Sequence, residues 1–354
     1  MLRLLELTYE NLVEFVADRY GKGAFLAKAL YGEFYKNLDP DAWQADVIRN
    51  SQGLMDRLKQ DWRFDPGQVK DEVHGEGLVK FVTVLADGNR IESVILPLKT
   101  HQTVCVSSQA GCGMGCRFCE TGKLGLARSL SVEEIVGQVY RARQKSGQGI
   151  RNVVFMGMGE PFDNFENVIQ AVRVLSDQRG LDMAERHITL STAGPIGGIE
   201  KLAALNMPKL NLTLSLNAPN DELRCRLMPV HHRGSLARLQ KTLMAYPLKK
   251  GSVLNVAYVL ISHVNDRCEH AEQLAEWLKP LRARVNLIPF NPIKDSSFQP
   301  PNLEAMDLFR QRLIDLRVNV QKRVPRGRDL MAACGQLGAV RKEAPCIIPN
   351  ANIA

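Results

Sequence analysis

Short apolar runs bounded by turn residues recur along most of this chain, at 103–106, 152–156, 187–190, 210–216, 253–260 and 284–288. Their length and their valine, isoleucine and leucine content predict strands. Between them the apolar positions fall at helical spacing, predicting helices over 131–145, 165–175, 236–245, 268–278 and 303–316. A Ser131/Glu134 capping box opens the first of these. Strand–helix units repeated at this length imply a parallel sheet, open or closed.

Upstream the pattern changes. Residues 8–62 read as helices, with Leu12, Phe15 and Val16, then Phe25, Leu26, Ala29 and Leu30, at helical spacing. Lys22, Lys28, Lys36, Arg49, Arg57 and Lys59 give this segment a basic surface, readable either as an RNA-contacting face or as a solvated one. Apolar runs at 78–86 and 90–97 flank Asp87-Gly88-Asn89 and predict a β-hairpin. Glu92 lies in its second strand, where a carboxylate is by default solvated or ion-paired. Downstream, Lys322, Arg323, Arg326 and Arg328 precede Ala332-Ala333-Cys334-Gly335-Gln336-Leu337, which by composition reads as a solvated turn followed by a buried small cysteine. The expected division is therefore a helical accessory domain at 1–75, a hairpin linker at 76–101, an α/β core at 102–318 and a C-terminal extension at 319–354.

At 354 residues and 45% hydrophobic composition, the chain can bury one large core and a smaller accessory unit. A net charge of +8 favours a polyanionic partner. Eight cysteines in this length are too few for a disulfide scaffold and point to a reducing, cytoplasmic setting. Arg3, Glu6, Glu10 and Glu14 interrupt the N-terminal leucines, so neither a signal peptide nor a membrane span is expected.

Three of the cysteines change the picture. Cys112, Cys116 and Cys119 stand four and then three apart in one loop, with Gly113 and Gly115 letting the backbone curl round a common centre. Three thiolates leave one iron of a [4Fe-4S] cluster open, by the logic that separates catalytic from structural metal sites. A zinc loop, a closed electron-transfer cluster and three ordinary buried cysteines are the competing readings. The loop resembles the radical S-adenosylmethionine (SAM) signature. That resemblance implies a partial (βα)₆ barrel, a cluster whose open iron chelates SAM, and reductive cleavage of SAM to a deoxyadenosyl radical.

Further motifs narrow the resemblance. They are Ile91-Glu92-Ser93, Cys105-Val106-Ser107-Ser108-Gln109, Met156-Gly157-Met158-Gly159-Glu160-Pro161, Leu190-Ser191-Thr192, Asn265-Asp266, Asn286 to Pro292 and Ala333 to Leu337. Together, from about residue 87 to residue 337, they resemble the RlmN/Cfr radical SAM methyl synthases, which methylate an adenine carbon of ribosomal or transfer RNA. The resemblance implies that Cys334 carries the methyl group as S-methylcysteine, that Cys105 releases the RNA adduct by forming a disulfide, and that Glu92 accepts a proton. It also implies a SAM pocket lined by Gly159, Glu160, Ser191, Ser215, Leu216, Asn217 and Asn291. Cys225, Cys268 and Cys346 match no motif and read as structural.

The chain departs from the family pattern at Glu120-Thr121 after the cluster loop, at Asn217 where histidine is common, and at Arg328-Asp329-Leu330-Met331, where a more acidic stretch is usual. The partners implied are RNA, an electron donor such as flavodoxin and a thiol reductant, with the enzyme a monomer. Two other classes fit parts of the sequence. A radical SAM enzyme with a different substrate would keep the cluster but have no use for the Cys105/Cys334 pair. A non-catalytic zinc or iron–sulfur RNA-binding protein would never cleave SAM.

Overall fold

In the computed structural model, residues 1–49, 51–75, 77–146, 149–229, 234–323 and 325–338 are described; Cys346 and the rest of the tail lie outside them. The strands in chain order are β1 (Gln68–Gly75), β2 (Leu78–Val84), β3 (Arg90–Pro97), β4 (Gln102–Cys105), β5 (Gln109–Gly111), β6 (Leu126–Ser129), β7 (Ile150–Phe155), β8 (Ile188–Thr192), β9 (Asn211–Ser215), β10 (Leu254–Leu260), β11 (Ala283–Pro289) and β12 (Val320–Lys322). Among the described residues ten of them form one sheet in the order β1-β2-β3-β4-β7-β8-β9-β10-β11-β12, while β5 and β6 pair separately. The pairings β1–β2, β2–β3 and β3–β4 are antiparallel. From β4 to β12 every pairing is parallel.

The parallel strands are laid down in sequence order, so every crossover moves in the same direction. Right-handed crossovers in one direction put all their helices on one face and leave the other concave. Those helices are Val132–Lys145, Phe165–Ser176, Ile196–Ala204, Leu236–Ala245, Cys268–Leu278 and Leu303–Asp315. The fold is the partial (βα)₆ barrel, with β1 and β12 as its two ends. The six core strands and five helices expected from the pattern all form, and Ser131 and Glu134 cap each other reciprocally.

Two strands of the main sheet, β1 and β12, have no apolar signal. β1 is almost wholly exposed, and its edge carries Lys70, Asp71 and Glu72, which deter pairing with another chain. The expected hairpin is thus the second half of a three-stranded meander, and the N-terminal helices end at Asp61. β12 opens the C-terminal extension and pairs with β11.

Helices Tyr9–Tyr20, Ala24–Lys36, Asp46–Arg49 and Gln52–Asp61 make the N-terminal unit. Leu12, Val16, Leu26 and Leu30 are buried, but Phe25, expected on the apolar face, is 74% exposed because the helix turns it to solvent. This unit lies on the outer helices of the barrel. Phe34 stacks on Tyr140 with ring centroids 4.9 Å apart. The buried Glu133 accepts from Arg3 Nη1 at 3.2 Å and from Asp65 N–H at 2.9 Å. Of the basic positions, Arg57 and Lys59 lie over the Tyr20 and Trp43 rings, and Arg49 pairs with Asp46. Among the described residues no helix is long and apolar enough to cross a membrane.

Gly137 sits in the helix facing this unit, and a Cβ there would come within 2.2 Å of Pro66 Cβ. In an open helix, Gly→Ala stabilises by about 1 kcal/mol. Here Gly137→Ala should instead destabilise, by about 1–3 kcal/mol, because the N-terminal unit must shift. Urea unfolding gives the sign directly, and a stabilised variant would contradict this packing.

Candidate active site

The chain leaves β4 at Cys105, passes through β5 and curls into the cysteine loop. Backbone hydrogen bonds hold that loop on three sides. Cys112 N–H donates to Gly125 O at 2.9 Å, Arg117 N–H to Leu227 O at 2.9 Å, and Glu120 N–H to Gly335 O at 2.7 Å. The Thr121 hydroxyl donates to Leu337 O. Cys112, Cys116 and Cys119 thereby line one cavity of about 180 Å³ at the C-terminal ends of the strands.

Burial pushes all three thiols up, Cys112 to about 12. Among the described residues no three histidine, cysteine, aspartate or glutamate side chains converge closely enough to hold a single metal ion. Three cysteines on one cavity are the donor set a [4Fe-4S] cluster with an open iron would need, each thiolate binding a separate iron.

Glu160 forms the opposite wall. It follows β7 after Gly159, whose φ of +103° and lack of Cβ let the turn lie against Gln109; an added Cβ would stand 2.7 Å from Gln109 N. Gln109 Oε1 accepts from Glu160 N–H at 2.9 Å. The carboxylate is buried and accepts from Phe162 N–H at 3.0 Å, the Thr192 hydroxyl at 2.7 Å and Ala193 N–H at 2.7 Å. Burial nevertheless raises its pKa to about 7, since three neutral donors do not replace water.

Of the other residues expected on this pocket, Ser191 and Ser215 face each other across β8 and β9 with hydroxyls 3.3 Å apart, and both line it. Asn217 lines it too, but its side chain serves the backbone. Held at φ +59°, Asn217 accepts at Oδ1 from Val259 N–H at 2.9 Å and donates to Met228 Sδ at 3.4 Å. Leu216 is fully buried, with its N–H on Ala257 O at 3.0 Å, and is not a wall residue.

A second cavity, of about 500 Å³, opens beside the first. Cys105 and Cys334 both line it, and Cys334 lines the cluster cavity as well. Cys105 is buried, and burial, followed by the nearby Cys334, pushes its thiol up to about 12. Glu92 stands apart from both walls. It shares the face of β3 on which Val94 pairs with Cys105, and binds Lys80 Nζ at 3.1 Å and Gly338 N–H at 2.7 Å. The mouth carries Lys322, Arg323 and Arg326, which composition assigned to a solvated turn. Arg323 also reaches the cluster cavity, and its position just after a strand C-terminus was the available signal. Cys225 is half-buried, whereas Cys268, expected to be structural, is exposed at the start of its helix.

Comparisons with known proteins agree with this geometry. A family model described as the radical SAM superfamily matches residues 106–278. The probable dual-specificity RNA methyltransferase RlmN 1 of Protochlamydia amoebophila is 37% identical over 354 residues, spanning 98% of each chain. The dual-specificity RNA methyltransferase RlmN of Pseudomonas putida is 41% identical, over 95% of this chain and 90% of that one. The crystal structure of a radical SAM methyltransferase from Sphaerobacter thermophilus superposes with a TM-score of 0.88 at 36% identity, covering 95% of this chain and 99% of the other.

Two measurements follow from the titrating groups. Before SAM binds, the folded chain holds the Glu160 proton more tightly than the unfolded chain does. Stability should therefore fall as pH rises from about 4.5 to about 7, by on the order of 3 kcal/mol, and level off above. Glu160→Gln should lack that slope in urea titrations; a shared slope would remove Glu160 as its source. At pH 8 Cys105 should react with iodoacetamide about 10²–10³ times more slowly than the exposed Cys268, since only the thiolate attacks. Peptide mass spectrometry reads both, and equal rates would rule out the buried thiol.

Proposed function

This chain belongs to the RlmN family of radical SAM methyltransferases, and from that membership we propose that it methylates an adenine ring carbon, C2 or C8, of ribosomal or transfer RNA. The observation that carries the reading is the position of Cys334, on the walls of both the cluster cavity and the Cys105 cavity. A sulfur there can take up a one-carbon unit on one side and deliver it on the other.

Cys112, Cys116 and Cys119 hold the [4Fe-4S] cluster, and the wall with Glu160, Ser191 and Ser215 holds SAM. When bound, these cofactors supply the methyl group and the means of abstracting a hydrogen atom from it. The buried Glu160 carboxylate suits an ammonium partner, because an ion pair would offset the burial that raises its pKa. Adenine ring carbons are electron-poor and cannot attack a methyl donor as an amine or thiolate would. A carrier sulfur and radical chemistry answer that difficulty.

The larger cavity suits one base turned out of its strand, with Lys322, Arg323 and Arg326 at the mouth for flanking phosphates. Once the carbon bridges Cys334 sulfur and the ring, the adduct must lose one electron, returned to the cluster, and its ring proton, which goes to Glu92. To reach that proton the carboxylate must give up Lys80 Nζ or Gly338 N–H. Cys105 then attacks the Cys334 sulfur. The sulfur–carbon bond breaks as the Cys105–Cys334 disulfide forms, the released carbon takes up a proton to become the methyl group, and a thiol reductant resets the pair. Burial keeps Cys105 protonated in the resting protein, so its proton must leave at this step.

With the cluster intact and SAM present, the peptide containing Cys334 should carry a methyl mass, and Cys334→Ala should abolish transfer to RNA. Cys105→Ala should retain attachment but lose release, accumulating a protein–RNA adduct that survives denaturing gels. Free methylated RNA at the normal rate from either variant would overturn the corresponding role.

A further inference from the structure

Arg328 is half-buried and turns its guanidinium onto acceptors of the fold itself. Its Nε donates to Asn291 Oδ1 at 2.7 Å, and a terminal nitrogen donates to Phe290 O at 3.1 Å. Asn291 is 3% exposed, and its Nδ2 donates onward to Cys334 O at 2.9 Å. Beside this bond, Gln336 Nε2 donates to Pro292 O at 2.8 Å, and Gln336 Oε1 accepts from Ala333 N–H at 3.2 Å. The segment bearing Cys334 is thus clipped to the end of β11 through side chains, with Asn291 at the centre.

We infer that Arg328 is a positioning residue for Cys334, acting through Asn291 to set where the sulfur stands between the two cavities. The reasoning is one of hydrogen-bond polarity. A guanidinium only donates and a peptide carbonyl only accepts. Between them the Asn291 amide has one orientation that satisfies both, oxygen toward Arg328 and nitrogen toward Cys334. Turned over, it would face Arg328 with an N–H and Cys334 O with an oxygen, leaving two buried clashes of like polarity. Arg328 therefore locks the amide, and the amide locks the Cys334 carbonyl. The inference rests on the proposed reaction for the task of Cys334, but not for the geometry.

The test uses holoenzyme with its cluster reconstituted, so that the three loop cysteines are occupied. Iodoacetamide labelling of Cys334 is measured by peptide mass spectrometry against the exposed Cys268 of the same molecules. Arg328→Ala should raise the Cys334 to Cys268 ratio about tenfold, as the clip opens locally. Arg328→Lys still offers a donor to Asn291 and should stay within about threefold of the parent. Arg328→Glu can only accept, turns the amide over and should label at least as fast as the alanine variant. Asn291→Asp keeps an acceptor for Arg328 but loses the donor to Cys334; it should match Arg328→Ala, and it supplies the answer should Arg328→Ala not fold. In turnover, Arg328→Ala should form more deoxyadenosine per methylated RNA while leaving the KM for RNA unchanged, which a phosphate contact would not do.

Unchanged labelling in both Arg328→Ala and Asn291→Asp overturns the inference, as does a lysine variant as reactive as the alanine one. If the parent never gains a methyl on Cys334, the proposed reaction falls, while the labelling ratios still decide the positioning role.

Discussion

A parallel sheet wound in one direction can cover only one of its faces with its own helices. Everything chemical in this protein follows from the face left over. Where the cavities lie, β8 to β11 turn inward the small or polar Ser191, Thr213, Ser215, Ala257 and Asn286 beside the apolar Val259 and Ile288. Space for ligands is built into the strand sequence, and the loops after the strands supply the functional groups. The outer face is filled by the crossover helices, and behind two of them by the N-terminal unit through Phe34, Tyr140 and Glu133.

Such a concave face needs a cover, and the C-terminal segment provides part of it. After β12 extends the sheet, residues 333–338 cross the mouth and are held from both sides. Asn291 and Pro292 grip them from β11, while Glu120, Thr121 and Glu92 bind Gly335, Leu337 and Gly338. Each bond contributes about 1 kcal/mol. Together they join the cysteine loop, the β3 carboxylate and Cys334 into one structure. Cys334 belongs to two cavities because the segment carrying it forms the partition between them.

Charge is handled differently on the two sides of that partition. On the cluster side, burial raises the loop thiols and Glu160 together, so the protein alone disfavours the very ionised forms that a metal cluster and an ammonium group would stabilise. Folding holds these groups in readiness for ligands of opposite charge. At the other mouth Lys322 keeps Asp307 at 2.9 Å, and Arg326 donates to Pro97 O. Arg323 leans over Met156 at the junction of the two spaces.

The chain's linear pattern was enough for the repeating units of the barrel, because a buried strand and an amphipathic helix each write their period into adjacent residues. The cysteine loop was legible for a similar reason, its three cysteines falling within eight residues of one another. β1 and β12 were not, since an exposed edge strand and a three-residue strand carry no apolar period. Nor could spacing reveal that Asn217 and Asn291 spend their amides on the protein itself, that Glu92 binds a backbone N–H 246 residues away, or that Arg328 reaches Asn291. Those facts depend on which distant strand ends and loops the curved, open sheet brings together. Local periodicity determined the elements, and long-range packing alone decided the partners of each polar group, because a hydrogen bond is fixed by distance in space and leaves no period in sequence.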